Sequence, residues 1–177
     1  MNMKPITTGF PELERVEKLA KEAFPPKEYL SPTYLIEMSQ RKELDFWALY
    51  DDKNFVGFMA VKTEEELSYL FFLAIDSSQR GKGYGGQAIR ALQKQYPDKK
   101  QVVDLEMTDE NAENNEQRKK RRCFYLKNGY CPTGFCISYG GVCYEILYMG
   151  EDFSLKSFQK LMNEIHVDGF EPRYFRK

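Results

Sequence analysis

The strongest chemical signal in the chain is a run of six residues, Gly81-Lys82-Gly83-Tyr84-Gly85-Gly86, standing directly behind Gln79-Arg80. Glycine lets the backbone turn sharply and brings successive N–H groups close to a ligand. A helix opening out of such a loop adds its free N-terminal amides and the positive end of its dipole. With the cations of Arg80 and Lys82, these groups make a cradle for a pyrophosphate or another multiply phosphorylated ligand. A plain turn would account for one or two glycines but not for four in six positions. The same six residues also satisfy the dinucleotide pattern G-x-G-x-x-G, and Glu106 stands about where its ribose-binding acid should be. That reading fails on context. Asp76 to Arg80 separate the loop from the preceding apolar strand, which a dinucleotide turn does not allow. The strand-like runs before the loop also read as an antiparallel meander rather than as parallel βαβ units.

Other reactive side chains carry weaker signals. Cys123, Cys131, Cys136 and Cys143 are too widely spaced for a zinc site, and His166 is the only histidine, so they read as reduced thiols packed as small apolar groups and no metal is expected. His166 closes a C-terminal helical pattern and reads as a surface residue. The run Arg118 to Arg122 invites a nucleic-acid reading, but acidic residues precede it and helical spacing scatters it around a surface. A solvated, salt-bridged helix is expected. The totals agree: 26 basic against 27 acidic side chains leave a formal charge of -1, without the basic surplus of a nucleic-acid binder.

The elements that must position the loop can be read from periodicity. Leu13, Val16, Leu19, Ala20 and Ala23 recur at helical spacing after Pro11, and Pro25-Pro26 ends that helix. A short helix is expected over 32–40. Strand-like runs follow at Phe46 to Tyr50 and Phe55 to Val61 around the turn cluster Asp51-Asp52-Lys53-Asn54. Leu67 to Ile75 is a nearly continuous apolar strand, of the kind buried on both faces. Behind the loop, Ala88, Ile89, Leu92 and Tyr96 mark an amphipathic helix ended by Pro97. Val102 to Met107 form a strand, Thr108 to Glu116 a polar stretch, and a helix runs through Tyr125 to Lys127, closed by Asn128-Gly129. Phe135 to Tyr139 and Val142 to Met149 flank Gly140-Gly141, a hairpin signal, and Ser154 is placed to cap a last helix. This order describes a mixed α/β sheet covered by helices. With 177 residues, 42% of them apolar, and no linker or repeat, the chain is expected to be one domain, 1–177. No signal-peptide pattern opens the chain and its longest apolar run is far too short for a membrane span, so a soluble, cytoplasmic protein is expected.

At this point a resemblance stands out. Leu73-Ala74-Ile75-Asp76 followed by Arg80-Gly81-Lys82-Gly83-Tyr84-Gly85 resembles the acetyl-CoA motif of the GNAT (GCN5-related N-acetyltransferase) superfamily, R/Q-x-x-G-x-G/A behind a strand. Cys123 to Tyr130 is similar to the family's later F-Y-x-x-x-G-F signature, with Tyr130 in place of Phe. Leu105-Glu106-Met107 matches the strand where many members carry a glutamate. The likeness covers about 46–149, leaving 150–177 as a C-terminal helix and tail. It implies a GNAT-type fold with a central, mostly antiparallel mixed sheet of six to seven strands.

The resemblance also implies roles. Leu73, Ala74 and Ile75 would hold the pantetheine arm through their backbone, as an added strand would be held, and polarise the thioester oxygen. Arg80, Gly81, Lys82, Gly83, Tyr84, Gly85 and Gly86 would hold the pyrophosphate of acetyl-CoA. Acetyl transfer would be direct, with no essential cysteine, and Tyr125 matches the family's donor of a proton to the departing thiolate. Glu106 is the first choice for a general base, and equally for a binder of the cationic acceptor; Asp104 should share its strand face. Glu66 is a second candidate base. Of Asn111 and Asn115, Asn115 is preferred as the helix-start residue that meets the cofactor. The function expected is an N-acetyltransferase acting on a primary amine, small or on a peptide. The alternative is a catalytically inactive acyl-CoA-binding sensor. No nucleic-acid or membrane partner is expected, and a homodimer is compatible with the sequence.

Overall fold

The computed structural model describes residues 1–26, 28–167 and 169–177, among which lie eight strands and five α-helices. The chain divides into two compact units, Met1–Thr63 with Leu70–Pro97, and Glu64–Tyr69 with Asp98–Lys177. Hydrogen-bonded strand neighbours follow the order β1-β2-β3-β4-β5-β7-β6-β8, in which β4 with β5 is a parallel step. The mixed, mostly antiparallel sheet expected from the sequence is present, with eight strands in place of six to seven.

The first unit opens with β1 (Asn2–Pro5), an edge strand paired antiparallel with β2 (Asp45–Asp51), which pairs in turn with β3 (Asn54–Glu64). Between them, α1 (Leu13–Ala23) buries Val16, Leu19 and Ala20, one stripe of an amphipathic helix. In α2 (Pro32–Gln40) the Ser31 hydroxyl caps the Tyr34 amide at 3.1 Å and proline takes the first helical position. Phe46 and Phe58 pack edge to face at 5.7 Å, and Phe24 meets Phe72 of β4 (Leu67–Ile75) at 4.6 Å. The glycine loop then leads into α3 (Tyr84–Gln95), whose buried side chains are Ala88, Ile89 and Leu92.

In the second unit, Leu67, Ser68 and Tyr69 of β4 pair in parallel with Lys100, Gln101 and Val102 of β5 (Lys100–Glu106). On its other side β5 pairs antiparallel with β7 (Val142–Met149), and β7 with β6 (Cys131–Tyr139). The hairpin turns at Gly140-Gly141, both with positive φ, as its composition predicts. β8 (Arg173–Arg176) adds to the edge of β6. α4 (Asn115–Lys127) and α5 (Leu155–Asn163) complete the unit, and the Ser154 hydroxyl caps α5 at the Ser157 amide as expected. Phe158 of α5 is fully buried and its ring meets Tyr69 at 5.7 Å.

Candidate functional site

The glycine loop is held by its own side chains. Asp76, at the end of β4, accepts from the Ser78 amide at 3.0 Å and from the Ser78 hydroxyl at 2.6 Å, which folds Ser77–Gln79 into a single 3-10 turn. These bonds, with Arg15 at 3.0 Å, keep the Asp76 carboxyl below its ordinary range against an opposing effect of burial. Gly81 and Gly83 then take φ of +77° and +83°, left-handed values that suit glycine, and Gly83 opens α3 without any side-chain cap. A Cβ at either would meet nothing within 4 Å, so conformation rather than crowding asks for glycine. The α3 amides therefore start beside an open, exposed loop. Its cations are tethered: Arg80 Nε donates to the Ile75 carbonyl at 3.1 Å, Lys82 Nζ to Gln79 at 3.0 Å. Tyr84 is turned away to Asp51, donating its hydroxyl at 2.6 Å.

The triplet before the loop is not uniform. The Asp76 amide donates to the Val56 carbonyl at 2.9 Å, and the Ala74 carbonyl lies against Gly57, so these alternate residues point their main chains at β3. Strand alternation turns the amides and carbonyls of Leu73 and Ile75 to the opposite edge. The triplet expected to act together thus divides, with Leu73 and Ile75 on one edge and Ala74 committed to the other.

In the second unit, Tyr125 of α4 is 6% exposed, and its ring meets Phe124 and Tyr130 at 5.0 and 5.2 Å. Its hydroxyl has no hydrogen-bond partner among the described residues. Burial pushes the phenol well above its usual range, Arg121 opposes this and Asp104 adds to it. Glu106 is half-buried, with its side chain 8% exposed, but its oxygens are occupied: Arg118 lies at 2.9 Å and Arg121 at 3.3 Å, with Asn114 donating at 3.4 Å. As placed, this carboxylate ties the end of β5 to the start of α4. Glu66 lies in a surface pair with Lys100 at 3.5 Å. Asp104, two residues before Glu106, accepts from the hydroxyls of Tyr69 and Tyr139, each at 2.7 Å.

The helix start differs from expectation by one residue. Asn114 is the cap of α4, and its Oδ1 accepts from Arg118 Nε at 2.8 Å. Asn115 is the first helical residue, buried, with its Oδ1 accepting from the Asp109 amide at 3.0 Å, so its side chain closes the loop before the helix. The Asn111 amide donates to Asp109. The basic run is an ion-pair lattice. Besides the two arginines on Glu106, Arg122 donates to Glu145 at 2.6 Å, and Lys119 pairs with Glu110 and Glu116 at 3.0 and 3.3 Å. Only Cys136 fits the expectation of a packed thiol; Cys123, Cys131 and Cys143 are free and exposed, because they fall on the solvent sides of α4 and the β6–β7 hairpin. His166 is exposed. Among the described residues no group of three His, Cys, Asp or Glu could hold a metal, and no helix is long and apolar enough to cross a membrane.

Comparison with known proteins bears on this arrangement. Residues 42–132 match the model of the acetyltransferase (GNAT) domain. None of the curated proteins matches the sequence. Among solved structures, a GNAT-family protein from Bacteroides thetaiotaomicron is 22% identical with a TM-score of 0.74, over 96% of this chain and 98% of that one. An aminoglycoside 6'-N-acetyltransferase complexed with coenzyme A is 17% identical with a TM-score of 0.64, over 84% and 96%. A GNAT-family acetyltransferase from Elizabethkingia anophelis with acetyl-CoA bound is 16% identical with a TM-score of 0.56, over 84% and 96%. At these identities the structures speak to the fold alone.

Proposed function

This chain belongs to the GNAT acetyltransferase family, and from that premise we propose that it transfers an acetyl group from acetyl-CoA directly to a primary amine. The free amides of Gly81 to Gly86 and the start of α3 would take the pyrophosphate. The outward main chains of Leu73 and Ile75 would pair with the pantetheine arm, leaving Ala74 to hold the strand in register. The solved relatives that contain coenzyme A or acetyl-CoA support this choice of donor.

The observation that carries an enzymatic reading is Tyr125: its side chain is buried, its phenol stays protonated well beyond neutral pH, and its hydroxyl has no hydrogen-bond partner among the described residues. A departing thiolate needs a proton, and a phenol with no other partner can give it. A sensor that binds acyl-CoA without turning it over would have no use for such a group. Glu106, paired with Arg118 and Arg121, serves this reading better as an anchor for α4 than as the base.

The test is calorimetry with coenzyme A followed by an assay of CoA release from acetyl-CoA across a panel of primary amines. Heat on binding together with amine-dependent release supports transfer. Binding without release for any amine would make the chain a sensor, and no binding at all would end both readings.

A further inference from the structure

Three carboxylates stand on the β5–β7 ladder, Asp104 and Glu106 on one face and Glu145 on the other, and two of them have cations. Glu106 has Arg118 and Arg121; Glu145 has Arg122 at 2.6 Å and Lys177 at 3.1 Å. Asp104 pairs across the same ladder with Ile146, one residue along from Glu145, and has no cation among the described residues. Its side chain is nonetheless half-buried, and burial raises its pKa while the hydroxyls of Tyr69 and Tyr139 and its own backbone amide pull the other way. Burying a charge is costly unless it is paired. A neutral side chain would serve two tyrosines as acceptor just as well without that cost.

The surroundings point to what is missing. Register places Tyr69, Asp104, Tyr144, Tyr139 and Tyr174 on one face of the sheet, since Tyr69 pairs with Val102, Tyr144 with Glu106 and Ile137, and Tyr174 with Ile137. The rings of Tyr139 and Tyr144 stack at 4.4 Å, and Phe170 closes on Tyr139 at 5.0 Å. Aromatic faces attract cations, and more strongly out of water. The Tyr174 hydroxyl on this face is buried without a hydrogen-bond partner among the described residues. The Asp104 oxygens each accept one phenol, and the residue's own amide adds a third bond, so of about four acceptor sites one is left over. Asp104 also keeps partial solvent access.

We infer that Asp104, oriented by Tyr69 and Tyr139 and flanked by the rings of Tyr139, Tyr144 and Phe170, is the docking site for the ammonium group of the acceptor, a protonated aliphatic amine. This rests on the acetyltransferase reading and adds to it the charge class of the acceptor and the residue that receives it. Glu106, already neutralised by two arginines, is not that residue.

The test uses the full chain and n-butylammonium as probe, with n-butanol and n-butyrate as controls, followed through tyrosine ring resonances. The ammonium should shift the Tyr139 and Tyr144 rings saturably, and neither control should. Asp104→Asn should weaken the probe by about tenfold or more, since a hydrogen-bonded charge is lost, with coenzyme A binding unchanged by calorimetry. Tyr139→Phe, which keeps the ring and removes one orienting hydroxyl, should weaken it less. Equal shifts with n-butanol, no saturable shift, or full binding by Asp104→Asn would each overturn the inference. The wild-type comparison decides even if Asp104→Asn does not fold. Loss of coenzyme A binding in the wild type is a separate failure, which would remove the acetyltransferase reading and not the amine site.

Discussion

A Cβ built on Gly57 would stand 2.1 Å from the carbonyl oxygen of Ala74. No side chain fits at that distance, and the obstacle is backbone, so it cannot rotate away. Gly57 is therefore a fixed seat for β4, at the residue flanked by the two expected to hold pantetheine. Gly57→Ala should destabilise the protein by about 1–3 kcal/mol, the range for overpacking, and weaken coenzyme A in calorimetry. A variant with unchanged denaturation midpoint and affinity would show that β4 yields at no cost.

Tyr125→Phe separates chemistry from folding. The hydroxyl bonds to nothing among the described residues, so its removal should shift stability by no more than about 0.5 kcal/mol. Loss of the proton donor should lower kcat about a hundredfold or more while the KM for acetyl-CoA holds. Burial first, with Asp104 adding and Arg121 opposing, raises the phenol's pKa, which favours the protonated form. The rate should accordingly show no alkaline loss at the ordinary tyrosine value of about 10. An unchanged kcat would remove Tyr125 from the mechanism.

Gly83→Ala tests the loop. Space around Gly83 is open, so the cost should be conformational, about 1–2 kcal/mol for a left-handed alanine, with an accompanying loss of coenzyme A affinity. Because the acetyl end is untouched, kcat at saturating acetyl-CoA should survive. A fall in kcat with affinity intact would contradict a phosphate-holding role.

Glu106→Gln should act first on stability. Two arginines lose their carboxylate, and the protein should weaken by about 1–3 kcal/mol, measured by urea denaturation. A large fall in kcat with unmoved stability would return Glu106 to the role of base.

Asp76 makes the loop acid-sensitive. Its pKa is lowered from 3.8, chiefly by the Ser78 hydroxyl against the opposing effect of burial, with Arg15 assisting. A depressed carboxylate stabilises the fold above its unfolded value and loses that contribution as pH falls through the lower folded value. Asp76→Asn should remove this part of the acid transition, read as a flatter midpoint-against-pH curve below about 4. An identical curve would exclude Asp76 from it.

What could be read from residue order was whatever is local. The apolar run of β4, the four glycines behind it and the stripe of α3 are signals carried within about 25 residues, and structure and expectation coincide there. The edge strands β1 and β8 escaped because Asn2–Pro5 and Arg173–Arg176 are four residues long and mostly exposed; they exist through their ladders with β2 and β6. The cap of α4 was misplaced onto Asn115 because two adjacent asparagines offer the same chemistry and only their partners differ. Asp104 could be placed on a strand face but not understood, since Tyr69 and Tyr139 each lie 35 residues away in opposite directions. The division of Leu73 and Ile75 from Ala74 needed β3 in place beside them.

The glycine loop has one further consequence. It is braced by Asp76, Arg80 and Lys82 before any ligand arrives, and in the role proposed for it would hold the portion of acetyl-CoA that the reaction never alters. Such a grip cannot tell a loaded carrier from a spent one. Turnover in this protein should therefore slow as free coenzyme A accumulates, competitively with the donor, so that its output follows the ratio of the two carriers rather than the amount of either.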